Sequence, residues 1–249
     1  MIGPDISRSV FEATKRAAVA PNSIFNGKKT GNWRDDRSTY ADPSKCTIPP
    51  GNANISVGWY ARGQAAKKEH LMPSSILRQE SGIAFLQETH VAAGIVGAML
   101  SIIHPEVYEA HLLVLLEMHW MRNCLADPEF TKATEFHRDN KGGGMLPDVL
   151  SMYGSYQRGR LEIPLLGARF VYNPGTNIVF PGYMMEHGAS KMDGERVCIA
   201  SFLRLNVGAS LLDDEEMNPY READLGPASA DYLSKKHNWG DAKERVDIW

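Results

Sequence analysis

Apolar residues recur with helical spacing between positions 83 and 120 and predict two helices. In the first helix they lie mostly three to five positions apart, as one buried helical face requires. These residues are Ile83, Leu86, Val91, Ile95, Val96, Met99 and Ile102. Pro105 then fits the first turn of a second helix, which we expect to reach about Asn123. In that helix the residues predicted to point inward are Val107, Leu112, Leu115 and Met118.

The pattern changes from Asp148 onward, where short apolar or alternating runs follow one another closely. They cover residues 149–156, 161–163, 169–172, 177–180, 183–187 and 197–205. Glycine and proline separate these runs and are typical of tight turns. Many short strands with such corners predict a sandwich or barrel rather than a parallel sheet. Helices followed by strands therefore predict an α+β fold, with a jelly-roll core buttressed by N-terminal helices.

Three segments follow from these patterns. Residues 1–82 are rich in loop-forming residues and predict a short helix near residues 9–19, followed by an arm and loops packed on the core. Residues 83–205 contain the helices and strands of the predicted core. Residues 206–249, which include the acidic run 213–216, predict a solvated C-terminal tail.

Composition indicates an ordinary globular protein in a reducing compartment. The 249 residues are 43% apolar and 23% charged, which is enough to bury a core without disulfide or metal staples. Cys46, Cys124 and Cys198 are widely spaced, which argues against a disulfide scaffold or a cysteine-ligated zinc site. The longest mostly apolar stretch, residues 91–103, is too short to span a bilayer. We therefore expect an intracellular protein, nuclear or cytoplasmic, without a membrane partner.

The net charge of −3 hides opposite charges at the two ends. Residues 1–70 contain eleven Lys and Arg against six Asp and Glu, whereas residues 206–249 contain five against ten. A basic N-terminal arm can bind phosphates, because Lys and Arg release the counterions condensed on a polyanion. The alternative is that the two ends neutralise each other at the protein surface.

His137, Asp139 and His187 have the chemistry and spacing of a metal site. Residues two apart in a strand point to the same face, so His137 and Asp139 can reach one point. His187, at the end of a later predicted strand, can complete the set. Two imidazoles and one carboxylate on one face of a metal leave three positions open, which is typical of non-haem Fe(II) oxygenases.

Arg196 suggests an anionic ligand near this group. It lies nine residues after His187 and opens an apolar predicted strand, residues 197–202. An unpaired charge in a buried strand is very costly, so the guanidinium needs an anionic partner. A dicarboxylic co-substrate supplies a carboxylate that the guanidinium can bind in a bidentate manner.

Five sequence elements together resemble the double-stranded β-helix of Fe(II)/2-oxoglutarate-dependent dioxygenases. In order they are 137–139 (His-Arg-Asp), 159–164, 174–180, 187–188 (His-Gly) and Arg196. The pattern is most similar to the fungal TET/JBP-like oxygenases, which act on methylated nucleobases. The resemblance covers roughly residues 130–205 and leaves the N-terminal 80 residues and the tail outside it.

This resemblance implies a cofactor and a role for each motif residue. His137, Asp139 and His187 would bind Fe(II) as catalytic ligands, and Arg196 would bind the distal carboxylate of 2-oxoglutarate. Dioxygen would take the remaining place on the metal. Tyr153 or Tyr156 could hydrogen-bond 2-oxoglutarate, although buried strand aromatics explain both residues equally well. Ser201, which shares the strand of Arg196, is a further co-substrate candidate.

Three functions remain open from the sequence. The first is hydroxylation of a methylated base in DNA or RNA, bound through the aromatic and basic residues of the arm. These are Lys15, Arg16, Lys28, Lys29, Trp33, Arg34, Arg37 and Tyr40. The second is the same chemistry on a small molecule, an amino acid or a protein side chain, which suits a pI near 6.2. The third is a non-catalytic jelly-roll binding module without iron.

Overall fold

The computed structural model is a mixed α+β fold. It describes residues 1–19, 44, 46–48, 51–52, 55–56, 58–60, 71–74, 77, 79–117, 127–130, 134–139, 146–190, 192–211 and 246–248. Within these ranges the helices are α1 (Pro4–Val19), α2 (Glu80–Ile103), α3 (Pro105–Glu117) and α4 (Leu205–Leu211). The α+β class predicted from the sequence is therefore confirmed.

The strands alternate with short turns after α3. In chain order they are β1 (Gly51–Asn52), β2 (Trp59–Tyr60), β3 (Leu71–Met72), β4 (Asp127–Phe130), β5 (Thr134–His137), β6 (Asp148–Gly154), β7 (Arg160–Ile163), β8 (Ala168–Val171), β9 (Asn177–Phe180), β10 (His187–Ala189), β11 (Arg196–Ser201) and β12 (Val246–Ile248). A short 3-10 helix, Pro164–Leu166, connects β7 to β8. Strands β2 and β3 pair only with each other.

Two five-stranded sheets contain all the described strands except β2 and β3. The first has the order β1-β4-β11-β6-β9 and the second the order β12-β8-β7-β10-β5. All neighbours in these sheets are antiparallel except β12 and β8, which are parallel. From β4 to β11 the chain passes repeatedly between the two sheets, so strands that are neighbours in sequence rarely pair.

The first sheet takes part in two separate apolar clusters. One contains Leu150 of β6, Cys198 of β11, and Leu161 and Ile163 of β7, so it lies between the two sheets. The other joins residues of β6 and β11 to the helices: Val149, Tyr153, Val197 and Ile199 pack with Val10, Phe85 and Val96. Because alternate strand residues point to opposite faces, β6 and β11 contribute one face to each cluster.

The two central helices are where the sequence predicts them, but the buried face of α2 is different. Its buried residues are Gly82, Phe85, Thr89, Ala92, Val96 and Leu100. Of the predicted set, Val96 is buried, whereas Ile83 and Val91 are each 48% exposed and Ile102 is 81% exposed. In α3, Val107 is buried but Leu112 is exposed, and the side chains of Leu115 and Met118 lie outside the described part. A helix that is apolar on several sides carries no clear periodic signal, and Thr89 can be buried because its hydroxyl donates to the Phe85 carbonyl.

Helix α2 is longer than the apolar stretch 91–103, which forms its C-terminal half. Over an 18-residue window its mean hydropathy is 1.4, so by length and composition it could cross a membrane, although the core helix of a globular protein can meet the same criteria. Both α1 and α3 pack against it, and 28% of the window is buried. The expectation that no segment reaches the length of a membrane span is therefore wrong for α2, while the absence of a membrane partner stays a prediction.

Two predicted boundaries also differ. Residues 183–186 form a turn rather than a strand, because the Pro181 carbonyl accepts hydrogen bonds from the backbone of Met184 and Met185, each at 3.0 Å. Strand β10 therefore begins only at His187. Helix α4 begins at the boundary of the predicted tail, and its Val207 is buried in the helical cluster.

We expect His111 to make the fold sensitive to mild acid. Its Nε2 is shut off from solvent without a hydrogen-bond partner in the described chain, and burial lowers the pKa of His111 from 6.5 to about 4. Between pH 6.5 and about 4 the His111 imidazole is protonated in the unfolded chain but not in the folded protein. The free energy of unfolding therefore decreases as the pH falls through this range. The loss amounts to about 3 kcal/mol at full protonation.

The measurement is chemical denaturation of the chain and of His111→Leu between pH 7 and 4. The variant should show a smaller fall of the unfolding free energy over that range. His104→Leu, at an exposed position just before α3, is the matched control and should keep the original slope. Equal slopes for the chain and His111→Leu would contradict the assignment.

Candidate metal and co-substrate site

His137, Asp139 and His187 lie together at one end of the second sheet. Strands β5 and β10 are antiparallel neighbours, and their register sets His137 directly opposite His187. Asp139 follows β5 by two residues, and its backbone N–H donates to the Gly182 carbonyl at 3.0 Å. One ligand atom from each of the three side chains lies within 4.8 Å of the other two. The structure thus brings together the three residues that the sequence pattern selected.

The Asp139 carboxylate lies between the two imidazoles. Its Oδ1 is 3.7 Å from Nε2 of His137, and its Oδ2 is 3.7 Å from Nε2 of His187. The two rings are 4.3 Å apart at their centroids. Both Nε2 atoms therefore face the same carboxylate, as they must to share one ion.

The orientation of His187 is fixed by its second ring nitrogen and by an aromatic neighbour. Nδ1 lies 3.0 Å from the Met185 carbonyl, which can only accept, so Nδ1 carries the proton. The ring nitrogen that can bind a metal is therefore Nε2, which faces Asp139. Phe180 packs edge-on against the ring at 4.7 Å between centroids. His187 is buried, whereas the Asp139 side chain is 29% exposed, so the group opens to solvent on the Asp139 side.

A second carboxyl group, which sequence reasoning missed, lies beside Asp139. Asp148, at the start of β6, is 4% exposed, and its Oδ2 has no hydrogen-bond partner in the described part of the chain. Burial, reinforced by the charge of Asp139, raises the pKa of Asp148 well above its usual range, against the effect of a hydrogen bond from the Gly182 backbone. No sequence pattern pairs Asp148 with Asp139, because the contact depends on how the two sheets face each other.

Gly182 separates these two carboxylates. A Cβ at this position would lie 2.3 Å from Asp148 Oδ2 and 2.8 Å from Asp139 Oδ2, closer than any ordinary contact. Only a residue without a side chain allows both carboxylates to occupy these positions. The Pro181-Gly182 turn is therefore part of the site, not only a connection between strands.

Arg196 extends into the space between the two sheets. Its side chain is 2% exposed, and Nη1 donates to the Ser190 carbonyl at 3.4 Å. Its positive charge acts on the phenols of Tyr156 and Tyr172, both of which are buried. Burial raises the pKa of both phenols, so each keeps its proton and remains a donor.

The predicted co-substrate residues Tyr153 and Ser201 lie on the opposite face of the first sheet from Arg196. Both point to the helix side of the first sheet, where they line a small cavity against Phe85, Thr89 and Ala92 of α2. In β6 and β11 they alternate with the residues that face the second sheet, and this alternation separates them from Arg196. Of the two tyrosines considered from the sequence, Tyr156 shares the interior with Arg196, and Tyr153 does not.

Tyr172 is the phenol that sequence reasoning missed. It accepts at its carbonyl a hydrogen bond from the Tyr156 hydroxyl, and its own hydroxyl lies 3.7 Å from Cys198 Sγ. Cys198 is two residues after Arg196 in β11, so both side chains are on the same strand face. Tyr172 ends the run 169–172 in the sequence, but no local signal distinguishes it from an ordinary core aromatic.

Most of the predicted basic arm lies outside the described residues, including Lys28, Lys29, Trp33, Arg34, Arg37 and Tyr40. The two basic residues of the set that are described belong to α1. Lys15 pairs with Glu12 at 3.2 Å, and Arg16 pairs with Glu88 of α2. These two cations already have carboxylate partners within the protein.

Among solved structures, the chain is similar to NgTET1 in complex with 5mC DNA, with a TM-score of 0.50 and 18% sequence identity. The fold resembles that of TET-like oxygenases. The match covers 64% of this chain and 62% of the other, so the chain spans about three fifths of the length of the NgTET1 protein compared. A structure of OsALKBH1 is matched at a TM-score of 0.31 and 10% identity over 80% of this chain and 92% of that chain, a score too low to bear on the fold. No protein-family model and no curated protein matches the sequence.

The likeness to NgTET1 agrees with the resemblance predicted from the motifs. At 18% identity it concerns the fold alone. The resemblance to TET-like oxygenases is therefore confirmed at the level of the fold.

We expect Gly182→Ala to disturb the three-ligand group without unfolding the protein. The new methyl group would push the Asp139 and Asp148 carboxylates from their positions. Disturbing groups that orient metal ligands typically weakens metal binding about 10- to 100-fold. Titration with Mn(II), followed by electron paramagnetic resonance, measures this loss.

The control for this substitution is Gly94→Ala in α2, where an added Cβ meets no atom within 4 Å. This variant should keep the Mn(II) affinity of the unaltered chain. If Gly182→Ala binds Mn(II) as tightly as Gly94→Ala, the absence of a side chain at position 182 is not required for the three ligands to bind a metal.

Proposed function

We propose that the chain is an Fe(II)/2-oxoglutarate-dependent dioxygenase that hydroxylates a C–H bond. The observation that carries the proposal is the convergence of His137, Asp139 and His187, with ligand atoms within 4.8 Å of one another. The buried guanidinium of Arg196, in the interior between the sheets, supports a dicarboxylic co-substrate. Few other chemistries require both features in one fold.

The strand order supports a double-stranded β-helix. In the first sheet β11 lies between β4 and β6, and in the second sheet β10 lies between β5 and β7. Each sheet thus combines early and late strands of the segment 127–201 in an antiparallel arrangement. An interior lined from both sheets suits a small co-substrate.

The donor set fits Fe(II). Two neutral imidazoles and a carboxylate bind divalent iron and leave other coordination positions for co-substrate and dioxygen. The hydrogen bond from His187 Nδ1 to the Met185 carbonyl presents Nε2 to the ion. Glycine at position 182 leaves the Asp139 carboxylate the room to lie beside the two imidazoles.

The charge and the hydrogen-bond donors around Arg196 suit 2-oxoglutarate. The guanidinium can bind the distal carboxylate in a bidentate manner, and Tyr172 can donate its phenolic proton to the same group. Both phenols near Arg196 stay protonated, because burial raises the pKa of each. Tyr156 supports this arrangement by donating to the Tyr172 carbonyl.

When bound, iron with 2-oxoglutarate and dioxygen inserts one oxygen atom into a substrate C–H bond and converts the co-substrate to succinate and carbon dioxide. The chain itself holds the co-substrate through Arg196 and Tyr172. It orients the metal through the three ligands, and it excludes water from the interior with residues such as Leu150, Met152 and Phe180. The opening on the Asp139 side is where a substrate would approach.

For the substrate, we propose a methylated base in nucleic acid. The fold similarity to NgTET1, a protein solved in complex with 5mC DNA, supports this class. The balance of eleven basic to six acidic residues in positions 1–70 supports a polyanionic partner. The alternative substrate is a small molecule, an amino acid or a protein side chain, and the ion pairs of Lys15 and Arg16 favour it by leaving fewer cations for phosphates.

The test of the reaction is succinate release from 2-oxoglutarate in the presence of Fe(II), ascorbate and oxygen. We expect His137→Ala and Asp139→Ala to abolish metal binding and turnover, because each removes one of three ligands. Asp193→Ala, at an exposed carboxylate paired with Arg158, is the matched control and should retain both. If neither the unaltered chain nor any of the three variants binds the metal or releases succinate, a non-catalytic binding module is favoured.

The substrate class is tested by the stimulation of succinate release. Matched oligonucleotides with and without 5-methylcytosine are compared with free amino acids and peptides, and oxidised products are identified by mass spectrometry. Stimulation by the methylated oligonucleotide alone supports the nucleobase. Stimulation by peptides or amino acids alone would indicate that the same reaction takes place on a small molecule, an amino acid or a protein side chain.

Tyr172→Phe and Tyr153→Phe form a matched pair for the co-substrate. We expect Tyr172→Phe to raise the KM for 2-oxoglutarate about tenfold, since a hydrogen bond to a charged group contributes about 1.5–3 kcal/mol. Tyr153→Phe should leave that KM unchanged, because Tyr153 is on the helix side of the sheet. If Tyr153→Phe raises this KM and Tyr172→Phe does not, Tyr153 binds 2-oxoglutarate as the sequence predicts.

A further inference from the structure

The residue before Arg196 makes a long-range contact of its own. Glu195 is buried, and its carboxylate accepts three hydrogen bonds from two consecutive residues of the N-terminal segment. The Ile48 N–H donates to Oε1 at 2.9 Å, the Thr47 hydroxyl donates to Oε2 at 2.6 Å, and the Thr47 N–H also donates to Oε1. We call these three hydrogen bonds the Glu195 clamp.

Both ends of the Glu195 clamp are fixed. Ile48 has no exposed surface and belongs to the helical cluster, so the donor segment is anchored in the core. On the other side, the Glu195 carbonyl accepts from Ser155 N–H at 2.9 Å. A Cβ at Gly154 would lie 2.1 Å from that carbonyl oxygen, so the backbone at Glu195 is held between β6 and the N-terminal segment.

The clamp cannot be explained as charge neutralisation of Arg196. Consecutive residues of an extended chain point to opposite sides. Accordingly, the Glu195 carboxylate contacts Thr47 and Ile48, while the Arg196 guanidinium reaches the Ser190 carbonyl in the interior. What the two residues share is the backbone at the start of β11.

We propose that Glu195 is a positioning residue, which sets the start of β11 and thereby the place of the Arg196 guanidinium in the co-substrate site. The inference rests on the proposed function and deepens it. The N-terminal segment around Thr47 and Ile48 is then part of the machinery for 2-oxoglutarate, although it contacts no co-substrate atom. Loss of the clamp lets the first residues of β11 move, and the guanidinium moves with them.

The experiment compares Glu195→Gln and Thr47→Val with Tyr60→Phe. In Glu195→Gln the amide can keep the geometry of the clamp, but the clamp loses the negative charge that strengthens its hydrogen bonds, whereas Thr47→Val removes only the bond of the hydroxyl. Tyr60→Phe removes a different link, from Tyr60 to Ser210 of α4, and is the control for general loss of stability. Binding of 2-oxoglutarate with Mn(II) is measured by calorimetry, and kcat and KM by succinate release.

We expect Glu195→Gln to weaken 2-oxoglutarate binding about tenfold and to leave kcat at saturating co-substrate within about twofold, as misplacement of a binding group predicts. Thr47→Val should weaken it less, and the double variant no more than Glu195→Gln alone, because both changes act on one clamp. Tyr60→Phe can lower the melting temperature but should not change the affinity. Unchanged affinity in Glu195→Gln despite a lowered melting temperature would overturn the proposal.

Hydrogen exchange separates this inference from the proposed function. Glu195→Gln, but not Tyr60→Phe, should speed amide exchange of residues 196–201 in the metal-free protein. If the unaltered chain binds no 2-oxoglutarate, the proposed function fails, while faster exchange in Glu195→Gln still supports the positioning of β11. If exchange in β11 is unchanged, the positioning role is overturned whatever the chain binds.

Discussion

The alternation of side chains along β11 is the constraint on which the rest of the structure depends. Val197 and Ile199 pack towards the helices, while Arg196 and Cys198 face the second sheet. One strand therefore holds the helical layer and lines the interior at the same time. A shift of register by one residue would move Arg196 into the helical cluster and turn Val197 and Ile199 towards the second sheet. The energy of helix packing is thus what keeps the guanidinium in the interior between the two sheets.

The parts of the site that the sequence could predict are local. His137 and Asp139 are two residues apart, and a strand puts such residues on one face without any knowledge of the fold. Strands β7, β8 and β9 lie within a residue or two of their predicted positions, because glycine and proline define the turns between them. His187 is predicted at the end of a strand, residues 183–187; the structure has a turn there and begins β10 at His187, but it does bring His187 opposite His137.

The parts that could not be predicted depend on which layer covers which face. Tyr153 and Tyr172 are both tyrosines at or beside strands, and only the position of the helices shows that one faces α2 and the other faces Arg196. Asp148 approaches Asp139 because the two sheets bring β6 and the end of β5 together around Gly182. The buried face of α2 was misjudged for a related reason. Its apolar residues surround the helix, so the partner layer, rather than the periodicity, decides which of them are covered.

The position of β11 in the first sheet has a consequence for the order of folding. Strands β4 and β6 are neighbours of β11 and not of each other, so residues 127–130 and 148–154 cannot form this sheet until residues 196–201 are present. During synthesis the early strands must wait for about 50 further residues, and such non-local pairing slows folding and leaves strand edges open to association. Helices α2 and α3 are consecutive in the chain and pack on each other, so this pair can form before β11 has been synthesised. A nascent chain would therefore carry α2 and α3 well before His137 and His187 meet.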